Sequence, residues 1–179
     1  DKAEKACRDV ADPGGIYADY NGWVGLPDTI SENLLTKITD TAQEINRQSQ
    51  VVVILGAGGS YLGAKAAIDF LHSPNYNLIR KNTPIIFFAG DNLSAEYLQQ
   101  IMNFVIARDF SVLAISKSGR TLETSVAFRT FQSLLKAKYG AGADGRIYII
   151  TDRNRGAFRK YADENGCTSF EVPENIGGV

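Results

Sequence analysis

Short apolar runs of strand length alternate with helical patterns through most of the chain, and this alternation restricts the fold more than any other feature. Each run is apolar throughout rather than at every second position, which is typical of strands buried on both faces. The runs occupy 51–55, 85–88, 111–115, 147–150 and, more weakly, 168–172. The sequence therefore predicts an α/β fold of the flavodoxin or Rossmann type, a three-layer α/β/α sandwich around a five-stranded parallel sheet.

Helical periodicity fills the connections between these runs. Apolar residues from Leu34 to Ile45 recur at helical intervals and predict a helix that ends near Gln48. Thr29 and Glu32 have the spacing of a capping box, so we expect this helix to begin there. Four further helices are predicted, over 61–71, 94–103, 122–139 and 157–165.

The first 29 residues differ from the rest because they are rich in turn-forming sequence. Pro13-Gly14-Gly15, Asn21-Gly22 and Pro27-Asp28 are typical of turns and loops. We therefore predict two parts of the chain, an N-terminal arm over 1–29 and a single domain over 30–179.

Charge and hydropathy exclude several classes of function. The net charge of -1 at pH 7, without a basic run, argues against a nucleic-acid partner. No stretch approaches ~18 consecutive apolar residues, so no membrane-spanning helix is expected. The first five residues lack the apolar core of a signal peptide, and Cys7 and Cys167 have no metal-type spacing. We therefore expect a cytoplasmic location, with both thiols packed and no metal bound.

A glycine-rich turn, Gly56-Ala57-Gly58-Gly59-Ser60-Tyr61-Leu62-Gly63, follows the first predicted strand. Glycines let a ligand approach the backbone, and the helix that follows offers free N–H groups to an anion. Tyr61 occupies the position where a dinucleotide-binding fingerprint needs a small residue, and Ala64-Lys65 does not match the Lys-Ser/Thr of a P-loop. A tight turn that only packs the helix on the sheet remains the alternative.

A second loop, Ser116-Lys117-Ser118-Gly119-Arg120-Thr121, follows the third predicted strand and precedes a long helix. Three hydroxyls, a glycine and two cations meet a helix N-terminus there, which is the chemistry that a phosphate dianion requires. Basic residues are unfavourable in the first turn of a helix unless an anion offsets them, so Arg120 supports this interpretation. Simple capping by Thr121, with both cations solvated, is the alternative. We predict a phosphate-binding loop.

Both loops resemble segments of the glucose-6-phosphate isomerase family. The glycine-rich turn is similar to that family's glycine-serine segment, and Ile115 to Thr124 resembles its sugar-phosphate loop. Val172-Pro173-Glu174-Asn175-Ile176-Gly177-Gly178 resembles the start of the family signature, and Gly22-Trp23 matches the bacterial form. The motifs follow the family's order and spacing over nearly the whole chain. Any one of them alone would indicate only a sugar isomerase (SIS) domain, a sugar-phosphate-binding module.

The resemblance implies an aldose–ketose isomerase of glycolysis and gluconeogenesis. Such an enzyme interconverts glucose 6-phosphate and fructose 6-phosphate by moving a proton between C2 and C1 through an enediol, and the family is dimeric. No metal and no organic cofactor are implied. The implied substrate-binding residues are Gly58, Gly59 and Ser60 on the sugar side, and Ser116, Lys117, Ser118 and Thr121 around the phosphate. Glu123 is expected beside Lys117, although the helix dipole would equally favour an acid at this position.

Two positions depart from the family pattern. Arg120 stands where the family usually has Thr, and the chain ends at Val179, where the signature requires an arginine. The family's base glutamate, ring-opening histidine and late lysine fall beyond this point, and His72 does not correspond to that histidine. We therefore expect the first sugar-phosphate domain of a longer enzyme, with no catalytic residue of its own and no activity alone.

Two other functions fit parts of the pattern. A non-catalytic SIS module that senses sugar phosphates would need the same two loops. A domain of an NAD-dependent oxidoreductase could use Asp91, after the second predicted strand, to bind a ribose. Tyr61 and the hydroxyl loop argue against the oxidoreductase, because a dinucleotide fold needs neither.

Overall fold

A five-stranded sheet forms the centre of the computed structural model, which describes residues 1–79 and 81–177. Gly178, the last residue of the segment that resembles the family signature, and Val179 lie outside the described residues. All neighbouring strands are parallel, in the order β2-β1-β3-β4-β5. The strands are β1 (Val51–Leu55), β2 (Ile85–Ala89), β3 (Phe110–Ser116), β4 (Ile147–Asp152) and β5 (Thr168–Val172). The predicted parallel α/β fold is confirmed.

Seven α-helices are found in the described residues, five of them after residue 30 as the sequence predicts. They are α1 (Lys2–Ala11), α2 (Leu26–Thr29), α3 (Glu32–Gln48), α4 (Gly59–Leu71), α5 (Ala95–Val105), α6 (Leu122–Tyr139) and α7 (Ala157–Asn165). The N-terminal arm is therefore more ordered than its turn-rich sequence indicates. Within the described residues, none of these helices has the length and hydropathy needed to cross a membrane.

Two local predictions are wrong. Ser31, not Thr29, caps α3, because its Oγ accepts a hydrogen bond from the Leu34 backbone nitrogen at 3.2 Å, whereas Thr29 ends the short helix α2. The two thiols also differ, since Cys167 is buried as expected and Cys7 is exposed. Cys7 lies in α1, none of whose residues is buried.

The sheet is buried on both faces, as a three-layer sandwich requires. On one face, the odd-numbered side chains of β1 pack with α5, α6 and α7 through residues such as Leu98, Phe131 and Phe158. On the other face, Val52, Ile54 and Ile115 form a smaller cluster against which Ile45 of α3 packs. The central strands β1 and β3 are therefore held between helices, and their carboxyl ends have a fixed position.

A crevice is expected at the carboxyl ends of β1 and β3. These two strands are neighbours, but β1 connects through α4 to β2 on one side and β3 connects through α6 to β4 on the other. In open α/β sheets, ligands bind where the strand order reverses in this way. Both loops singled out in the sequence, residues 56–63 and 116–121, leave the sheet at this point, and in the structure residues 56–58 and 117–121 connect strand to helix.

The loops after β3 and β4 are interlocked through two glycines. Gly119 has a φ of +62° and Gly156 a φ of +99°, and L side chains rarely adopt such values. A Cβ added to Gly156 would lie 2.7 Å from the carbonyl oxygen of Ser118, and one added to Gly119 would lie 2.8 Å from the backbone nitrogen of Ala157. Neither loop can carry a side chain at this contact unless the other loop moves.

Gly156→Ala is expected to destabilise the protein more than Gly140→Ala. Gly140 has a φ of +56° but nothing within 4 Å of its added Cβ, so its substitution should cost only the backbone strain, about 1–3 kcal/mol. At Gly156 the contact with the Ser118 carbonyl adds to that strain, and we expect a total loss of about 3 kcal/mol or more. Urea unfolding of both variants measures the difference, and equal losses would contradict the interlocking of the two loops.

Candidate functional site

The hydroxyl loop, Ser116 to Thr121, is folded around its own side chains. Ser116 ends β3 and is only 2% exposed, and its Oγ accepts a hydrogen bond from the Gly119 backbone nitrogen at 3.1 Å. The same Oγ lies 3.4 Å from the Thr121 Oγ1. Ser118 is exposed, and its Oγ accepts from the Arg120 backbone nitrogen at 3.2 Å. The three hydroxyls therefore stand on one tight turn, with Ser116 shaping it and Ser118 at its surface.

The N-terminus of α6 opens directly from this turn. Thr121 occupies the capping position, but its side chain contacts Ser116 and makes no capping hydrogen bond to the backbone of α6. The first N–H groups of a helix lack partners within the helix and carry partial positive charge. Thr124 fixes this end of α6 in place, because its buried Oγ1 donates to the Gly90 carbonyl after β2 at 3.0 Å. The capping alternative raised by the sequence is therefore not observed.

The glycine-rich turn lies next to the hydroxyl loop. A Cβ added to Gly56 would lie 3.4 Å from the carbonyl oxygen of Ile115, near the end of β3, and 3.1 Å from the Cβ of Ser60. Gly58 has a φ of +55°, and nothing lies within 4 Å of a Cβ added to it. Gly59 is the first residue of α4. Gly58 and Gly59 are both exposed, whereas Ser60 is buried. The exposed surface that this turn offers to a ligand is therefore mainly backbone.

Lys117 makes its contacts away from the loop hydroxyls. Its Nζ donates to the carbonyl oxygens of Glu174 and Ile176, each at 2.6 Å. Glu123, which the sequence places beside Lys117, lies half-buried in the first turn of α6. No ion pair joins it to Lys117 in the described parts of the chain. The ammonium of Lys117 thus holds the segment that follows β5.

A cleft of about 300 Å³ opens between the loops after β3 and β4. Its lining consists of Lys117, Ser118, Arg120, Asp152, Arg155 and Gly156. Arg120 is exposed, and the Arg155 guanidinium forms an exposed ion pair of 3.0 Å with Glu174. Three basic side chains line this cleft together with a single carboxylate, which favours an anionic ligand.

Asp152, at the end of β4, is the carboxylate of this cleft and is 6% exposed. The hydrogen bond from the Asn154 backbone nitrogen, 2.8 Å long, does most to lower the pKa of Asp152 below its usual range. Burial acts in the opposite direction, while a second backbone hydrogen bond from Arg155, at 2.9 Å, and the charges of Arg155 and Lys117 lower the pKa further. Asp152 is therefore ionised at neutral pH, and its two accepted hydrogen bonds stabilise the loop after β4.

Sequence reasoning did not identify Asp152 and Arg155. A signal for both was present, because they lie at or just after the end of the fourth predicted strand, beside the strand that carries the hydroxyl loop. The carboxyl ends of neighbouring parallel strands share one edge of a sheet. Within the described residues, no three His, Cys, Asp or Glu side chains group closely enough to hold a metal ion.

A larger cavity of about 790 Å³ lies elsewhere, between α3 and strands β3 to β5. Leu34, Ile38, Leu113 and Ile150 contribute to its mostly aliphatic lining. It shares no residue with the two loops at the carboxyl ends of β1 and β3. We place the candidate site at the loops because their hydroxyls, helix N-terminus and cations are suited to an anion, which an aliphatic cavity is not.

The known proteins whose sequences are similar to this chain share one name. The chain is 40% identical over 178 residues to a glucose-6-phosphate isomerase of Fusobacterium nucleatum, covering 98% of this chain and 40% of that protein. It is 44% identical over 180 residues to a glucose-6-phosphate isomerase of Streptococcus mutans, covering 98% and 39%. No family model matches the chain.

Solved structures agree on the fold. A hypothetical protein from Thermus thermophilus superposes with a TM-score of 0.78 at 26% identity, covering 98% of this chain and 39% of that one. A glucose-6-phosphate isomerase from Chlamydia trachomatis superposes with a TM-score of 0.64 at 21% identity, covering 84% and 28%, and at this identity it supports the fold alone.

The chain spans about two fifths of the length of the curated relatives it matches. Its similarity to them is not confined to the two loops, because it extends over nearly all 179 residues at 40–46% identity. Over the part of their length that it spans, the chain is similar to glucose-6-phosphate isomerases along nearly its whole sequence.

Proposed function

We propose that this chain is the sugar-phosphate-binding domain of a glucose-6-phosphate isomerase, acting in glycolysis and gluconeogenesis. In this proposal the hydroxyl loop holds the phosphate group of glucose 6-phosphate or fructose 6-phosphate. The observation that carries it is the position of the loop, since three hydroxyls stand where α6 begins, at the reversal of strand order between β1 and β3. Sequence identity to isomerases supports the choice of substrate.

The loop supplies each element of a phosphate site. Ser118 and Thr121 provide hydroxyl donors, the start of α6 provides N–H groups and partial positive charge, and Arg120 provides a full positive charge nearby. Ser116 is nearly fully buried, so its main part is to shape the turn that presents them. In the proposal, the backbone of Gly58 and Gly59 and the Ser60 side chain line the sugar, because that turn leaves the neighbouring strand.

The proposed reaction needs no external redox group. An aldose and its ketose have the same overall oxidation state, so a base that moves one proton between C2 and C1 suffices. A base must reach that proton within about 2.6–3.2 Å between heavy atoms, or through one water. Two backbone hydrogen bonds to its Oδ1 lower the pKa of Asp152 and so make it a weak base, and the Lys117 ammonium donates to two carbonyls, so neither side chain is suited to this step. We infer that the catalytic base lies in another part of the protein.

We further propose a cytoplasmic homodimer that binds neither nucleic acid nor membranes. Large apolar side chains stand exposed on and after α4, with Phe70 89% and Leu78 84% exposed. Surfaces of this kind are commonly covered in the assembled protein. Sedimentation velocity of the purified protein would give its oligomeric state.

Ser118→Ala is expected to weaken phosphate binding, whereas Ser133→Ala should not. Ser118 is exposed on the hydroxyl loop, while Ser133 lies further along α6 and its Oγ donates to the Arg129 carbonyl at 2.9 Å. Loss of one hydrogen bond to a charged ligand corresponds to about 1.5–3 kcal/mol, or roughly a 10- to 150-fold weaker Kd. NMR titration with glucose 6-phosphate measures both variants, with Ser116 to Thr121 as reporter amides. Shifts confined to the glycine-rich turn, or appearing only with NAD, would contradict the assignment.

Arg120→Thr is expected to weaken phosphate binding and to reduce its dependence on salt. A cation beside a bound dianion contributes an attraction that ions screen, so its removal should flatten the salt dependence. Arg129→Thr is the matched control, because Arg129 is also exposed but lies in α6, about two turns beyond the loop. Isothermal titration with inorganic phosphate at two ionic strengths tests both. Unchanged affinity in Arg120→Thr would show that this side chain faces solvent alone.

Residues 1–179 alone are expected to bind the substrate without isomerising it. A group that holds phosphate equally in the ground state and the transition state gives occupancy and no rate. A coupled assay on the purified domain at high concentration tests this, with Ser118→Ala as the control for contaminating host enzyme. Activity that scales with the domain and falls in Ser118→Ala would mean that the domain contains its own base.

A further inference from the structure

The Lys117 side chain joins the hydroxyl loop to a distant part of the chain. It leaves the loop between Ser116 and Ser118, and its ammonium donates to the carbonyls of Glu174 and Ile176 at 2.6 Å each. Hydrogen bonds from a charged donor are about twice as strong as neutral ones. A second basic side chain, Arg155, holds the same segment through the Glu174 carboxylate at 3.0 Å.

The segment held by Lys117 is in turn paired with the N-terminal arm. The Gly22 backbone nitrogen donates to the Asn175 carbonyl at 2.9 Å, and Asn21 and Ile176 form an antiparallel bridge. The Gly177 backbone nitrogen donates to the Tyr20 carbonyl at 3.4 Å. We call residues 174–177 the strap and residues 20–22 the arm strand.

Very little space separates the strap from the arm strand. A Cβ added to Gly22 would lie 2.3 Å from side-chain atoms of Asn175, and one added to Gly177 would lie 2.8 Å from the ring of Tyr20. Asn21 is buried and anchors the arm strand, because its side-chain amide donates to the carbonyls of Val10 and Asp12, both at 2.9 Å. Movement of the strap must therefore move the arm strand or break the pairing.

The pairing of strap and arm strand is a single isolated bridge and depends on other contacts for its stability, since even a complete two-stranded hairpin is marginal in water. The ammonium of Lys117 supplies such a contact from the other side of the strap. The backbone of Lys117 lies within the hydroxyl loop. A ligand that orders this loop therefore also fixes the position from which the Lys117 side chain extends. Order in one region then lowers the entropic cost of order in the other.

We propose that Lys117 is a positioning residue that couples the hydroxyl loop to the strap and, through it, to the arm strand. An anion bound at the loop stabilises both distant segments, and by linkage an intact pairing of strap and arm strand tightens anion binding by the same factor. The inference rests on the proposed function, because the anion in question is the phosphate of the sugar.

The test perturbs the far end of this connection without changing any charge. Gly22→Ala places a methyl group where the exposed Asn175 side chain lies, so that side chain must turn away from the arm strand. Gly25→Ala is the matched control in the same arm, because nothing lies within 4 Å of its added Cβ. Affinity for inorganic phosphate is measured by isothermal titration at constant ionic strength. We expect Gly22→Ala to weaken binding roughly fivefold, the lower end of typical coupling, and Gly25→Ala to leave it unchanged.

A double-mutant cycle then tests the part played by Lys117. In the Lys117→Met background, Gly22→Ala should have no further effect on phosphate affinity, and Lys117→Arg should restore its effect because a guanidinium can also donate to two carbonyls. An equal effect of Gly22→Ala with and without Lys117, or no effect in either, would overturn the coupling. If Lys117 only stabilised the fold, its substitution would lower the free energy of unfolding. The effects of Lys117→Met and Gly22→Ala on phosphate affinity would then be additive.

Hydrogen exchange of the unsubstituted protein provides a measurement that needs no variant to fold. Phosphate should slow exchange of the Gly22 and Gly177 amides as well as that of the loop amides, and sodium chloride of equal ionic strength should not. Protection of the loop without protection of Gly22 and Gly177 would overturn the inference and leave the proposed function standing. Absence of any phosphate binding would overturn both.

Discussion

The candidate site depends on β1 and β3 lying side by side in a sheet that is buried on both faces. Parallel neighbours lie about 4.8 Å apart, so the two loops that leave their carboxyl ends begin within one strand spacing of each other. The short distance from a Cβ added to Gly56 to the Ile115 carbonyl, 3.4 Å, reflects this proximity. A ligand held by the hydroxyl loop therefore lies beside the exposed backbone of the glycine-rich turn, although the two loops lie far apart in the sequence.

The sequence pattern was sufficient for the sheet and the two loops, because both are encoded locally. Strands buried on both faces leave continuous apolar runs, and ligand-binding turns between strand and helix concentrate glycine and hydroxyl residues. The sequence does mark helix α1, since Ala3, Ala6, Cys7 and Val10 recur at helical spacing and Asp1 caps it by accepting from the Ala3 nitrogen at 2.7 Å. The turn-forming residues that follow this helix outweighed its pattern in our prediction of an N-terminal arm. Thr29 and Ser31 are both residue types that cap helices, and only the structure shows that Thr29 ends α2 while Ser31 directly precedes α3.

Local sequence patterns could not predict the contacts between residues that lie far apart in the chain. Lys117 and Ile176 are 59 positions apart, and nothing in the residues around Lys117 indicates that its ammonium would bind carbonyls rather than remain near the loop hydroxyls. The interlocking of Gly119 with the β4 loop is of the same kind, since the glycine itself was evident but the backbone it approaches was not. Asp152 and Arg155 fall between these cases, because their place at a strand end could be inferred while their roles in the cleft could not.

The arrangement of charge in the cleft favours anchoring over chemistry. A general base works best when its pKa lies near the operating pH and when its lone pairs are free to accept a proton. Asp152 does not meet the first condition, because two backbone hydrogen bonds to its Oδ1 lower its pKa. The surrounding cations favour binding of an anion and further disfavour protonation of that carboxylate. A domain built in this way can hold the phosphate end of a sugar in a fixed orientation, and the free energy of that contact becomes useful for catalysis only when a base placed elsewhere acts on the other end.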